Sequence, residues 1–314
     1  MHFKRLLLCA TLIASLMVSV STMNGQELSP PVLTAEPVVV IQSNFSQPSD
    51  VVVGNNKRIY VLDGVNNLVK VFNYQGAYLF SFGGAGSGKG KFNFPLGIGL
   101  GEKDRIYVAD SGNHRVQIFS PEGAYLRQFT TESGKENAKP SDPTDVVVNS
   151  ILDRCYVVDN DNHWIFIYDL EEGKLLRTHG SMGMEKRDFR FPFLLDTDQE
   201  GNLYAVEVIN TRVKVIDPEG NFLTNIGGWG VKKGEFYRPK GVAIDSKGRV
   251  FVSDSYLGVI QVFDREGRFL SIVGDKEGAI MKFKTPTGLF IDKKMRLYVV
   301  EMCANRVRVL SLKD

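Results

Sequence analysis

The stretch from Gly241 to Gly274, GVAIDSKGRVFVSDSYLGVIQVFDREGRFLSIVG, decides the fold. It divides into four short runs rich in Val, Ile and Phe: GVAID, RVFVSD, VIQVFD and RFLSIVG. Ser246 to Gly248 separate the first two runs and Arg265 to Gly267 the last two. Apolar runs of this length, broken by polar turns that end in Gly, are the pattern of strands joined by hairpins.

The stretch is one copy of a repeat. Pro48, Pro95, Pro143, Pro192, Pro239 and Pro286 open six copies spaced 47 to 49 residues apart. An apolar run in each copy ends 15 or 16 residues later in an acid: Asp63, Asp110, Asp159, Glu207, Asp254 or Glu301. Gly76, Gly123, Gly173, Gly220 and Gly267 close a second turn in five of the copies. Runs such as RIYVLD, RIYVAD and RLYVVE are nearly continuously apolar, so both faces of each sheet must be covered. Radial packing of one four-stranded sheet on the next does this, and the period suits a propeller. The expected fold is therefore all-β, a six-bladed β-propeller of four-stranded antiparallel blades. The sixth copy ends after its third run, RVRVLSLKD, and the isolated run PVVVIQ, Pro37 to Gln42, precedes the first copy. Placed as the outer strand of the last blade, PVVVIQ closes the ring and removes two bare strand edges.

Residues 1–25 read as a cleaved signal peptide, with Lys4 and Arg5 ahead of an apolar stretch from Leu6 to Val20. An uncleaved anchor is the alternative. Residues 26–36 read as a short linker and 37–314 as a single propeller domain, secreted or periplasmic and monomeric. Lys4 and Arg5 are the only charged residues in the first 25, so removing them takes the formal net charge from +2 to zero. No bulk field then argues for nucleic acid or membrane as partner. The mature chain has two cysteines. Cys155 stands where other copies have Ile59, Ile106, Leu203, Val250 and Leu297, so it is expected to be a buried apolar substitute, too far from Cys303 for a disulfide.

The segments DSGNHRVQIFSPEG (Asp110 to Gly123) and VINTRVKVIDPEG (Val208 to Gly220) resemble NHL repeats, as do GKFNFPLGIGL and GEFYRPKGVAID ahead of strands. The resemblance covers residues 48 to 310. It is specific for fold and poor for function, because NHL propellers include protein-binding, RNA-binding and enzymatic members.

Within this frame most chemical candidates become scaffold. An acid present in every copy is better explained as an acceptor for loose backbone N–H groups in the following turn than as part of a cation site. Glu207 and Glu301 depart from the Asp pattern and are the weak candidates for a divalent metal. Propeller lyases similar to this fold hold a metal through several imidazoles, whereas His114 and His163 share one repeat position and His179 falls on an outer strand. GGAGSGKG, Gly83 to Gly90, approaches a phosphate-binding loop but leads into a strand instead of a helix.

The entry loops AGSGKGKFNF, SMGMEKRDFRF, GWGVKKGEFYR and DKEGAIMKFKT are more informative. Phe92, Phe189, Phe236 and Phe283 lie three before each Pro and are expected to pack beneath them. The remainder is basic and aromatic, and acids collect in the turns of the opposite face. Trp229, Tyr237, Arg238, Arg190, Lys233 and Lys232 are thus the expected contact surface for a protein or anionic ligand, in a binding module with no catalytic residues and no cofactor. The alternative is a propeller enzyme of the lyase or lactonase type with an axial metal.

Overall fold

The computed structural model describes residues 30–132 and 138–313; the expected signal peptide lies outside the described residues. The first repeat forms strands Pro48–Val53, Ile59–Asp63, Leu68–Phe72 and Tyr78–Gly83, paired in that order as an antiparallel sheet. The second, third and fourth repeats do the same. The fifth and sixth are joined in one eight-stranded sheet through the N-terminal strand Val32–Ile41.

The Pro-to-acid spacing turns out to be the register of each first hairpin. Pro48 pairs with Asp63, Pro95 with Asp110, Pro143 with Asp159, Pro192 with Glu207, Pro239 with Asp254 and Pro286 with Glu301. A register shift follows every one of these prolines, a bulge that adds a residue to the first strand and turns it. Second strands such as Ile59–Asp63 and Leu203–Glu207 are buried along their whole length, as their continuous apolar pattern requires.

Apolar clusters fill the space between successive sheets. Val69, Val71 and Phe92 meet Ile106, Val108 and Phe119 between the first two, and Tyr298, Val300, Val307 and Val309 of the last repeat pack on Val51, Ile59 and Val61 of the first. The first strands contact one another in chain order, and Pro286–Ile291 returns to touch Pro48–Val53. The architecture is that of a β-propeller with repeated four-stranded sheets.

The N-terminal strand is longer than PVVVIQ. Ala35 to Ile41 pair antiparallel with the last strand, Arg306–Leu312, as expected, but the strand begins at Val32. Val32, Leu33 and Thr34 pair in parallel with Ile272, Val273 and Gly274 of the fifth repeat. Residues 32–36, expected as linker, therefore belong to the sheet. The outer strand Phe269–Gly274 thereby has its edge covered, unlike the outer strands of the first four repeats. Cys155 is buried in a core strand, burial pushes its thiol well up, and no disulfide links it to Cys303. No helix among the described residues is long and apolar enough to cross a membrane.

Candidate functional site

Every repeat acid is fully buried, and every one accepts a backbone N–H from the entry loop. The donors are Ser46 for Asp63 (2.7 Å), Asn93 for Asp110 (2.7 Å), Asp142 for Asp159 (3.1 Å), Arg190 for Glu207 (3.0 Å), Tyr237 for Asp254 (2.7 Å) and Lys284 for Glu301 (2.6 Å). The structural role expected for the acids holds, but its main object is the loop before the strand. Among the described residues, the following turn contributes backbone donors to Asp159 and Asp254, through Asn162, Tyr256 and Leu257.

The first residue of the third strand sits opposite the acid, and where it is Arg it completes an ion pair. Arg115 Nε lies 2.8 Å from Asp110, Arg212 Nε 2.5 Å from Glu207 and Arg306 Nε 2.5 Å from Glu301. Glu207 and Glu301, the weak metal candidates, thus turn their second oxygen toward arginine, as the shorter Asp110 also does. Among the described residues no group of three or more His, Cys, Asp or Glu is placed to hold a metal.

Two residues further along the third strand, a donor that is buried in four repeats and half-buried in the sixth grips the carbonyls of the same loop. Lys70 donates to Ser43 and Asn44, Gln117 to Lys91, Lys214 to Glu185 and Asp188, Gln261 to Glu235 and Arg308 to Lys282. Burial pushes the Lys214 ammonium down to about 8. Sequence reasoning passed over these residues because they lie within apolar runs; the signal was a polar residue seven after the acid in five of six copies.

The loops are consequently rigid platforms. Phe92, Phe189 and Phe236 are fully buried at their bases and Phe283 nearly so, each removal being worth about 3–5 kcal/mol by the usual cost of a large core deletion. Around Trp229 the chain folds back so that Phe236 N–H donates to Gly228 O (2.7 Å) and Gly230 N–H to Phe236 O (2.9 Å). Trp229 is held by its backbone on both sides while its side chain is 76% exposed. Met182 and Met184 are likewise exposed on the neighbouring loop. Tyr237, 39% exposed, stacks on Tyr256 at 4.2 Å between ring centroids, so Tyr256 joins the aromatic surface although the sequence did not single it out. Lys232, Lys233 and Arg238 are exposed, and Arg190 is half-buried. None of these four side chains has an ion-pair partner among the described residues; nearby Asp254 and Glu235 accept backbone N–H groups, and Glu207 also pairs with Arg212.

His114 and His163 have left-handed backbones (φ 54° and 61°), as do their counterparts Asn67, Thr211 and Asn305, while Gly258 occupies the place in the fifth repeat. His163 Nδ1 accepts Phe191 N–H at 3.1 Å, which bridges to the next repeat. His179 lies on the outer strand Leu175–His179 against Phe189, and burial holds its imidazole below the usual range. The three histidines form no tripod. Gly83 to Gly90 opens no helix.

A second set of acids, unremarked in the sequence, lies at the centre. A cavity of about 180 Å³ is lined by residues of all six first strands, among them Asp50, Asp145, Asp196, Leu195, Val242 and Leu289. Asp50 accepts Val51 and Ile98 N–H, Asp145 accepts Val146 and Leu195 N–H, and Asp196 accepts Thr197 and Ile244 N–H. Each ties one repeat to the next. Gly97 and Gly288 make room for them, since a Cβ at either would run into Asp145 or Asp50. Burial pushes the carboxyls of Asp50 and Asp196 up to about 7 and raises Asp145 well above the usual range.

One step above this cavity in the register, immediately after each Pro, stand Ser49, Leu96, Thr144, Phe193, Lys240 and Thr287. Lys240 is the only charged residue at that level, and its Nζ lies 4.1 Å from the centre of the Phe193 ring.

The NHL repeat family model matches residues 45–72, 92–119 and 236–263. No curated protein sequence matches the chain. Among solved structures, a gluconolactonase from Xanthomonas campestris shares 14% identity at TM-score 0.66, over 91% of this chain and 96% of its own. A Bacteroides thetaiotaomicron protein of unknown function shares 15% at TM-score 0.66 (91% and 75%), and a streptogramin B lyase 15% at TM-score 0.61 (86% and 81%). At such identities the likeness concerns fold alone. With the repeated Pro-to-acid register and the buried entry-loop Phe, the chain carries NHL repeats at the three matched segments within a β-propeller architecture.

Proposed function

We propose that this protein is a six-bladed propeller, secreted or periplasmic, that acts as a monomeric binding module through the basic, aromatic face formed by its entry loops. The cyclic contact of the six first strands supports the blade count. The observation that carries the binding reading is Trp229: a large aromatic side chain, 76% exposed, on a backbone already immobilised, beside unpaired Lys232, Lys233 and Arg238. Such an anchor loses little conformational freedom on binding, which is the condition for a hot spot. The cations favour an acidic protein surface or an anionic ligand from the same compartment, with no cofactor needed.

The test is affinity capture of proteins from that compartment on immobilised mature chain, followed by titration of the captured partner against wild type and Trp229→Ala. The substitution weakens binding by about 2 kcal/mol, the scale of a hot-spot residue, and leaves thermal stability unchanged. Equal affinity for the two chains would move the site off this loop.

A second reading, a lyase- or lactonase-like enzyme, is favoured by one observation, the cavity with its three raised carboxyls. Each of those acids is already engaged with two backbone N–H groups, which weighs against catalytic use. Elemental analysis of purified protein separates the readings: one tightly held divalent metal per chain decides for the enzyme.

A further inference from the structure

We propose that Lys240, with Arg238, forms a receptor for a carboxylate group one step above the central cavity in the register of the first strands. The inference rests on the binding reading for the face it uses and shares Arg238 with it; its probes, succinate and Lys240, are separate from Trp229.

An ammonium group normally enters a folded protein with a carboxylate, a carbonyl or water around it. Lys240 is half-buried, yet among the described residues its Nζ has neither a hydrogen bond nor an ion pair. Its neighbours are the Phe193 ring at 4.1 Å and the like-charged Arg238. A cation–π contact compensates only part of the lost hydration, worth about 0.5–2 kcal/mol. Burial, with Arg238 adding repulsion, accordingly pushes the ammonium down to about 8. Arg238 and Arg190 also have no ion pair among the described residues, and Arg190 Nε is buried without a hydrogen-bond partner. Two partly buried cations without an anionic partner, Arg190 and Lys240, and the exposed Arg238 thus lie on two consecutive entry segments, Arg190 three residues ahead of Phe193 and Arg238 two ahead of Lys240. The missing partner is an anion.

The available donors decide which kind. Phosphate sites in loops commonly add free backbone N–H groups to their side-chain cations. Here the entry-segment N–H groups are taken: Arg190 donates to Glu207, Phe191 to His163, and Tyr237 and Arg238 to Asp254. Only side-chain cations remain. A guanidinium fork beside a point charge matches a planar carboxylate, and exposed Tyr237 and Tyr256 provide an apolar flank for the body that carries it. The ligand class is therefore a carboxylic acid, free or as the acidic side chain of a partner.

The test uses the mature chain, trinitrobenzenesulfonate and peptide mapping to read the modification rate of each lysine near neutral pH. Lys240 reacts faster than Lys232 and Lys233, because more of it is unprotonated. Succinate at tens of millimolar slows Lys240 by about fivefold or more, as a bound carboxylate restores the protonated form, and leaves Lys232 and Lys233 unaffected. Sodium chloride at matched ionic strength does not reproduce the effect. In parallel, succinate raises the melting temperature of wild type and of a variant at an exposed lysine of the opposite face, Lys174→Met, but not of Lys240→Met, whose fold is checked by circular dichroism. An unlabelled Lys240, protection by chloride equal to that by succinate, or stabilisation retained in Lys240→Met overturns the proposal. Stronger protection by inorganic phosphate overturns the carboxylate assignment. None of these outcomes touches the Trp229→Ala titration, so the two readings fail separately.

Discussion

Asn305 accepts the backbone N–H of Gln47 at 2.9 Å, joining the last repeat to the first across 258 positions of sequence. The same bond occurs between consecutive repeats, from Phe94 N–H to Asn67 and from Phe191 N–H to His163. In each case the acceptor is four residues after the repeat acid with a left-handed backbone, φ 49° for Asn305. The closing junction is thus made by the device that links ordinary neighbours. Asn305→Gly keeps the backbone conformation and removes only the acceptor, so it should cost about 0.5–1.5 kcal/mol, the net worth of one hydrogen bond. Asn305→Ala adds left-handed strain and should cost about 1–3 kcal/mol in all. Urea unfolding of the three chains checks the order; equal stabilities would show that closure rests on apolar contacts alone.

Much of this was legible because a repeat exposes its own register. Pro48 and Asp63 recur as a pair six times, which identifies the hairpin and the entry loop from the residues alone. Repetition also hides what is singular. Lys240 occupies a level where the other copies carry Ser49, Leu96, Thr144, Phe193 and Thr287, and a lone Lys there looks like surface until the Phe193 ring beneath it is located. The pairing of Val32 with Ile272 was illegible for another reason: it is parallel and distant in sequence, and LTAE carries no strand signal of its own. The entry-loop donors 17 residues before each acid escaped because turn chemistry is normally read forward from the residue, whereas here the bulge after Pro brings the preceding loop back over it.

Glu207 and Arg212 form a pair in which the carboxylate is fully buried and the guanidinium nearly so. Removing one member of such a pair strands the other in a medium that solvates it poorly. Glu207→Gln should lower stability by about 3–5 kcal/mol, the range for breaking buried pairs, and Arg212→Met by a similar amount. If the glutamate instead served a metal, Glu207→Gln would abolish metal-dependent stabilisation. Calorimetry of both variants, with and without a chelator, separates the two outcomes.

Ala35 and Val38 belong to one strand and give opposite predictions. Ala35 is 1% exposed among Val273, Leu310 and Leu312, where the N-terminal strand seals the fifth and sixth repeats together. Ala35→Asp puts a charge without a partner into that core and should cost more than about 3 kcal/mol. Val38, 42% exposed, should tolerate Asp within about 0.5 kcal/mol, as surface positions do. Equal losses at the two positions would mean that the strand is held by its backbone ladder alone.

Asp50 gives the stability of the ring a pH dependence of unusual sign. Its carboxyl rises from 3.8 to about 7 chiefly through burial. Between those limits the folded chain keeps a proton that the unfolded chain has released. Its stabilisation is complete below the unfolded value and is lost as pH rises toward 7. Asp196 behaves alike, with the same window. His163 and His179, held low by burial, act in the opposite direction as they gain protons below about pH 6.5. Total stability therefore mixes both signs, and the Asp50 contribution appears in the difference between wild type and Asp50→Asn. Asn cannot titrate, and it loses one acceptor at every pH. The stability advantage of wild type over Asp50→Asn should grow as pH falls from about 7 to 4, because only wild type takes up the proton. Denaturant unfolding across that range reads it directly. A constant difference would mean that Asp50 stays ionised in the folded state, stabilised by the N–H groups of Val51 and Ile98 against the cost of its burial.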